Sequence, residues 1–165
     1  MSQSSNIELF KGDLPPGRFA AKAIAVDTET LGLNPHRDRL CLVQLSDGDG
    51  TAALVQVSPD DDAAELKRLL TDESVLKIFH YARFDVAVLK HYLGVNTAPV
   101  YCTKIASKLA RTYTDRHGLK DLCRELLGVE LSKQQQSSDW GLETLSPDQL
   151  SYAAVSYTHL TLPTT

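Results

Sequence analysis

Two acidic side chains lie two residues apart at the end of a segment with the pattern of a buried strand. Residues 19–27 are mostly apolar and end in Asp27, and Glu29 follows after a single threonine. Side chains at positions i and i+2 of an extended segment point to the same side, so these two carboxylates are presented together. Such a pair favours a bound cation, and oxygen-only ligands favour a hard dication such as Mg²⁺ or Mn²⁺. A solvent-exposed acidic strand end is the alternative interpretation.

The segment FHYARFD, residues 79–85, contains two further candidates. Asp85 lies in the first turn of a predicted apolar helix, where an acid either binds a ligand or simply interacts with the helix dipole. His80 lies at the end of a predicted strand, a position as typical of a structural histidine as of a catalytic one. The local pattern leaves both alternatives open.

A third candidate is Tyr152, in a helix predicted to begin at Ser146 with proline at its first position and Gln149 at its third. A packed tyrosine is the alternative. No GxSxG motif or Cys–His pairing indicates a covalent nucleophile. The three cysteines have scattered spacings and form no CxxC pair, which is typical of free thiols in a reducing cytoplasm, where we expect this protein.

The charge of the chain is unevenly distributed. The 165 residues carry a net charge of -4, yet residues 77–133 contain ten Lys and Arg against five acids, so the remainder is strongly acidic. A positive block of this kind can bind a polyanion locally, and the alternative is a set of solvated helix faces. The block includes four cations that we expect to face a substrate: Arg83, Lys104, Lys108 and Arg111.

The hydrophobic pattern predicts a single α/β domain without a membrane span. Residues 1–18 are predicted to be a lead-in, and strands at 19–27, 40–46 and 51–57 to form an antiparallel meander with a hairpin at Asp47–Gly50. A helix over 61–70, a strand over 75–79, a helix ending at Gly94 and a strand over 100–102 follow. Helices are then predicted around 105–113 and 119–127. These elements form a mixed, mainly five-stranded sheet flanked by helices.

Taken in order, three segments resemble the motifs of the DEDD exonuclease superfamily, tyrosine subclass, and most closely ribonuclease D. VDTETLGL resembles the first motif, FHYARFD the second and QLSYAA the start of the third, whose pattern is Tyr-x-x-x-Asp. KQQQSSDW, residues 133–140, resembles the segment that precedes the third motif. The likeness covers residues 8–154. It implies a ribonuclease H-like fold and a 3′→5′ exonuclease that hydrolyses phosphodiester bonds at nucleic acid ends.

The resemblance also implies roles for individual residues. Asp27, Glu29 and Asp85 would hold two divalent cations, Mg²⁺ or Mn²⁺, and Tyr152 would orient the attacking water. Further residues near the motifs are candidates for substrate contact: Thr30, Leu31, His80, Arg83 and Lys104. The expected partner is the 3′ end of single-stranded RNA, with tRNA precursors and DNA as open alternatives. The oligomeric state is not indicated.

One position departs from the family pattern, because Ser156 stands where the third motif has its acid. Residues 155–165, VSYTHLTLPTT, resemble the translation of a sequencing adapter. We therefore expect an exonuclease domain over 1–154 that lacks its last helix, followed by a non-native tail whose composition continues no helix. The alternative function is a nucleic-acid-binding module with little or no activity, because the fourth metal ligand is absent.

Overall fold

The fold is a six-stranded mixed sheet with helices on both faces. The computed structural model describes residues 6–132 and 134–158, with the backbone alone for 156–158. The sheet order is β1-β4-β3-β2-β5-β6. Its strands are Asn6–Lys11 (β1), Ala23–Thr30 (β2), Leu40–Ser46 (β3), Thr51–Gln56 (β4), Leu76–Phe79 (β5) and Val100–Cys102 (β6). The mixed α/β architecture predicted from the sequence is confirmed.

The helices follow the predicted order, with one irregular segment. They are Ala64–Thr71 (α1), Ala82–Leu93 (α2), Thr103–Ala110 (α3), Leu119–Leu122 (α4) and Pro147–Thr158 (α5). After α4 the chain widens into a π-helical turn, Cys123–Leu127, so the single helix predicted over 119–127 is interrupted. The predicted stop at Gly128 is confirmed, since this glycine has a φ of 67°.

Strand β1 corrects the predicted strand count. Residues 6–11 were predicted to be part of a lead-in, but they pair in parallel with all of β4, from Asn6 opposite Thr51 to Lys11 opposite Gln56. The segment is only partly buried and contains charged residues, as is common in an edge strand. Its partner lies far along the chain, so no local pattern indicated the pairing.

The two faces of the sheet have separate hydrophobic cores. The first core lies on the side of α1 and α2 and contains Leu66, Leu70, Val88 and Leu89. The second core lies on the side of α5 and contains Trp140, with the two helix alanines 153 and 154. Helix α5 contacts β2, β3 and β4, so the second core fixes this helix across the central strands.

The central strand β2 is longer than its parallel neighbour, which opens a gap in the sheet. Strand β5 pairs with β2 only from Ala23 to Ala25. Beyond that point the chain leaves β5, turns at Tyr81 and begins α2 at Ala82. The first turn of α2 therefore lies beside the last residues of β2, where the predicted strand end at residue 27 is extended to Thr30.

The cysteines and the lengths of the helices can also be compared with the predictions from the sequence. All three cysteines are free, as predicted, with Cys41 and Cys123 buried. Within residues 6–132 and 134–158, no helix combines the length and apolar character that crossing a bilayer requires.

The predicted start of α5 is confirmed by a reciprocal pair of hydrogen bonds. The backbone N–H of Gln149 donates to Ser146 Oγ at 3.1 Å, and the backbone N–H of Ser146 donates to Gln149 Oε1 at 2.9 Å. Gln149 is buried and also donates to Ser138 Oγ at 2.7 Å. This capping box satisfies helix donors and links α5 to the preceding loop.

We predict that Ser146→Ala lowers the free energy of unfolding by about 1 kcal/mol, because the helix loses its N-cap acceptor. Urea denaturation followed by circular dichroism measures the change. Ser151→Ala is the matched control, since this residue is exposed inside the same helix, where alanine is the better helix former. Equal stability of the Ser146→Ala variant and the unmodified chain would show that the cap contributes nothing.

Candidate active site

Three carboxylates from two elements meet at the gap beside β2. Asp27 and Glu29 lie two residues apart on this strand, opposite Gln44 and Leu42 of β3. The intervening residue, Thr28, donates a hydrogen bond from its hydroxyl to Asp85 Oδ1 at 2.6 Å. Asp85 is only 4% exposed in the first turn of α2. The structure therefore brings together the three acids that the sequence analysis singled out.

Burial and repulsion by neighbouring carboxylates oppose ionisation of Glu29 and Asp85. Burial, together with the charges of Asp27 and Asp85, raises the pKa of Glu29 to about 9. Burial and the charge of Asp27 raise the pKa of Asp85 well above its ordinary value, against the opposing hydrogen bond from Thr28. The cluster is thus a site at which a positive charge would be strongly favoured.

Gln44 supports Glu29 from the neighbouring strand. Its side chain is fully buried in β3, and its Nε2 donates to Glu29 Oε1 at 3.2 Å. Its Oε1 is buried without a hydrogen-bond partner. The sequence analysis did not select this residue, although one amide inside the otherwise apolar run LCLVQLS was a signal that could have identified it.

The donor set fits a hard dication by its chemistry, since every candidate ligand atom is a carboxylate oxygen in a largely buried place. The positions of these side chains do not yet form a metal-coordinating arrangement. In the described part of the chain, no three His, Cys, Asp or Glu side chains already converge as ligands of one metal ion. The bonds to Thr28 and Gln44 direct an oxygen of Asp85 and of Glu29 toward protein partners.

Tyr152 lies on α5 above the two acids of β2. Its ring centroid is 6.0 Å from that of Trp140, which is 1% exposed in the second core. Burial raises the pKa of Tyr152 to about 12, and the charges of Glu29 and Asp27 add to this effect. At neutral pH the side chain is therefore a neutral phenol that can donate a hydrogen bond and is not itself a base.

A cavity of about 630 Å³ lies beside this cluster. Asp27 and Tyr152 form part of its wall, together with His80, Tyr81 and Lys104. The lining also includes Lys120 and the segment 130–136, apart from residue 133, which lies outside the described residues. A concave site that combines Asp27 with the ammonium groups of Lys104 and Lys120 suits a polyanionic substrate that binds together with cations.

His80 is held in place as a neutral side chain. Its Nδ1 lies 2.9 Å from Thr103 Oγ1, and its ring also bonds to the backbone of His117. Burial lowers the pKa of His80 to about 4, with the charge of Lys104 adding to the effect. It therefore lines the cavity without supplying a positive charge at neutral pH.

The other predicted substrate-contact residues lie outside the cavity lining. The hydroxyl of Thr30 donates to the Gly32 carbonyl at 2.5 Å and so shapes the loop after β2. Leu31 is half exposed in that loop, and Arg83 is exposed on α2. Of the predicted substrate-contact residues, His80 and Lys104 thus line the cavity, and the other three lie on the adjoining surface.

Part of the positive block is structural. Arg111 is buried, pairs with Glu125 and donates to Ser107 Oγ at 2.9 Å, so it does not face a substrate as expected. Lys77 is fully buried in β5 and donates to the carbonyls of Asp72 and Ala98. Counting charge along the sequence could not separate these two from the lysines of the cavity.

Comparison with known proteins identifies similar curated sequences. Ribonuclease D of Gluconacetobacter diazotrophicus is 34% identical over 137 residues, which cover 83% of this chain and 35% of that protein. The chain therefore spans about a third of the length of the curated relatives it matches.

Solved structures give a similar result. Brucella melitensis NrnC bound to pGG is 57% identical with a TM-score of 0.90, covering 95% of this chain and 77% of that one. NrnC with bound Mg²⁺ is 55% identical with a TM-score of 0.89, covering 94% and 76%. Escherichia coli RNase D is 31% identical with a TM-score of 0.74, covering 86% and 37%, and its likeness confirms the ribonuclease H-like fold.

The match to a protein family is broader than any single motif. Residues 18–162 match the family described as 3′-5′ exonuclease. This range includes all the segments that form the carboxylate cluster and the tyrosine beside it. The ribonuclease D-like resemblance found in the sequence is therefore confirmed, and this chain belongs to the 3′-5′ exonuclease family.

Proposed function

We propose that this chain is a 3′-5′ exonuclease domain that hydrolyses phosphodiester bonds at RNA 3′ ends with two divalent cations, Mg²⁺ or Mn²⁺. The observation that carries the proposal is the convergence of Asp27 with Glu29 and Asp85. This cluster lies beside a cavity that is lined by Asp27, Tyr152 and lysines. The Mg²⁺-bound and pGG-bound structures of NrnC support it.

In this proposal the carboxylates of Asp27, Glu29 and Asp85 would hold the cations. Bound at this place, such cations would supply a nucleophilic hydroxide near neutral pH and stabilise charge on the attacking and leaving oxygens. The hydrogen bonds from Thr28 and Gln44 keep Asp85 and Glu29 in position. Holding ligands in this way reduces the reorganisation needed for reaction.

Tyr152 orients the attacking water through its neutral hydroxyl. Its raised pKa keeps the proton on the phenol, and its packing against Trp140 fixes the direction of the ring. Lys104 and Lys120 contact phosphates in the same cavity, which provides affinity without reading sequence. Thr30, Leu31 and Arg83 are proposed to contact the part of the strand outside the cavity.

A second candidate, a binding module with little activity, is favoured by Ser156. The backbone of α5 places position 156 one helical turn after Tyr152, where the family resemblance has an acid. The sequence analysis expected no helix beyond residue 154, but α5 continues to Thr158. Ser156→Asp would thus introduce an acid within the helix, and a large gain in hydrolysis rate over the unmodified chain would support this second candidate.

We predict that Asp27→Asn lowers kcat by more than about 100-fold, because the amide keeps the shape but removes a metal-binding charge. Release of nucleotides from 3′-labelled RNA measures the rate, and EDTA should abolish it until Mg²⁺ is added in excess. Removing one of three repelling carboxylates should leave the melting temperature equal or higher.

The control for this prediction is Asp62→Asn, which changes an exposed acid near the start of α1. It should leave both the rate and its metal dependence unchanged. Hydrolysis that persists in EDTA would contradict the two-metal proposal.

We predict that Gln44→Leu raises the Mg²⁺ concentration needed for half-maximal activity by about 10- to 100-fold. Leucine has a similar size and removes a buried unpartnered oxygen, so stability should not fall. The matched control is Ser46→Ala, since Ser46 is buried two residues further along β3. Its hydroxyl donates to the Thr51 carbonyl and accepts from the Gly48 N–H, so neither bond involves Glu29. An unchanged Mg²⁺ requirement would show that Glu29 does not depend on this amide.

We predict that replacing both Lys104 and Lys120 with alanine weakens RNA binding and flattens its salt dependence by about 1 to 2 units of logarithmic slope. Equilibrium binding at several NaCl concentrations gives this slope. Lys67→Ala, on α1, is the control with an unchanged slope, because Lys67 pairs with Asp62 on another surface. Identical slopes for the double variant and the unmodified chain would exclude phosphate contact by these lysines.

A further inference from the structure

Tyr81 has an unusual backbone conformation for its residue type. With φ 65° and ψ 52° it is left-handed, at the position that joins β5 to α2. Residues other than Gly, Asn and Asp rarely adopt this conformation, because Cβ approaches the following carbonyl oxygen. The side chain of Tyr81 makes no capping hydrogen bond to the helix that would offset the strain. Local stability therefore does not explain a tyrosine at this position.

The strained backbone presents an aromatic ring to the candidate active site. Tyr81 is 47% exposed and lines the same cavity as Asp27 and Tyr152. Lys104 Nζ lies 4.4 Å from the ring centroid, so one face of the ring is covered by a cation. The preceding residue, His80, is held by Thr103 and by the backbone of His117, which limits movement of this segment.

The chemistry of this arrangement fits one kind of ligand. An exposed ring face offers apolar stacking, and the ammonium groups of Lys104, beside the ring, and of Lys120, in the same cavity, offer contact to phosphate. A nucleotide presents both features, a flat base and a phosphate a few ångströms away. A phosphate alone would gain nothing from the ring, whereas every nucleobase has a face that stacks.

We propose that Tyr81 stacks on a nucleobase of the bound substrate and thereby positions the nucleotide whose phosphate enters the carboxylate cluster. This inference rests on the proposed exonuclease function and names a residue that contacts the substrate in that same cavity. Stacking of this kind tolerates any base, so Tyr81 provides affinity without sequence preference. The strain at residue 81 is then retained because it directs the ring into the cavity.

The test compares Tyr81→Asn and Tyr81→Phe, with pGG and a short single-stranded RNA as substrates. Asparagine tolerates the left-handed conformation, so this variant should melt at the same or a higher temperature. Its KM should rise by roughly 5- to 100-fold, the range expected for loss of one stacked base, with a smaller change in kcat. Phenylalanine keeps the ring face, so its KM should stay within about twofold of the unmodified value.

Two pGG analogues that each lack one guanine test the partner of the ring. For one of these analogues, the affinity of the unmodified chain should fall below its affinity for pGG by about the same factor as Tyr81→Asn lowers the affinity for pGG. The Tyr81→Asn variant should bind this analogue with nearly the same affinity as it binds pGG. Equal losses in both proteins, for both analogues, would overturn the stacking proposal. An effect of Tyr81→Phe as large as that of Tyr81→Asn would also overturn it, because the hydroxyl would then be the contact.

Ala63→Gly is the matched control for strain. Ala63 is the other non-glycine residue at positive φ among those the structure describes, with φ 49° at the start of α1. Relief of strain there should leave KM unchanged. A raised KM in this variant would show that loss of left-handed strain alone alters binding, which would overturn the assignment of the effect to the ring.

The design separates this inference from the exonuclease proposal. Binding of pGG is measured in the Asp27→Asn background as well as hydrolysis in the unmodified background. Absence of any hydrolysis together with a Tyr81-dependent affinity would contradict the exonuclease proposal and support base stacking. Hydrolysis with equal KM for Tyr81→Asn and the unmodified chain would support the exonuclease proposal and overturn base stacking.

Discussion

Repulsion among buried carboxylates is the interaction on which the rest of this structure depends. Asp27 lies close enough to raise the pKa of both Glu29 and Asp85, Asp85 adds to the effect on Glu29, and Asp85 is almost completely buried. A chain that brings such groups together must stabilise them through other contacts. The hydroxyl of Thr28 and the amide of Gln44 provide two of these contacts, and both belong to the central strands of the sheet.

The surrounding fold makes this crowding possible by supporting each acid from a different direction. Strand β2 lies in the middle of the sheet, with hydrophobic cores on both faces. Because β5 pairs with β2 only through Ala25, the first turn of α2 can approach the open edge with Asp85. On the opposite face Trp140 and the capping box hold α5, which carries Tyr152.

Strain and charge are concentrated at the same end of the sheet. The turn that carries the chain from β5 to α2 contains Tyr81 in a left-handed conformation, and Lys104 lies over its ring. The comparable turn before α1 contains Ala63, where the helix donors of Glu65 and Leu66 are instead satisfied by Asp13. Two helices thus begin with the same backbone geometry, but only at α2 does that geometry direct a large side chain into the cavity.

Local sequence patterns were enough to predict the order and type of most elements and the acids that meet beside β2. The i, i+2 spacing placed Asp27 and Glu29 on one side of a strand, and the Ser146–Gln149 pattern marked the start of α5. These features are local, so a few neighbouring residues suffice to specify them. Contacts in the folded chain set the edge position of β1, the burial of Lys77 and Arg111, and the placement of Gln44 and Tyr81 beside the site. Each of these depends on contacts between segments distant in sequence, and a local pattern of residue types contains no information about such contacts.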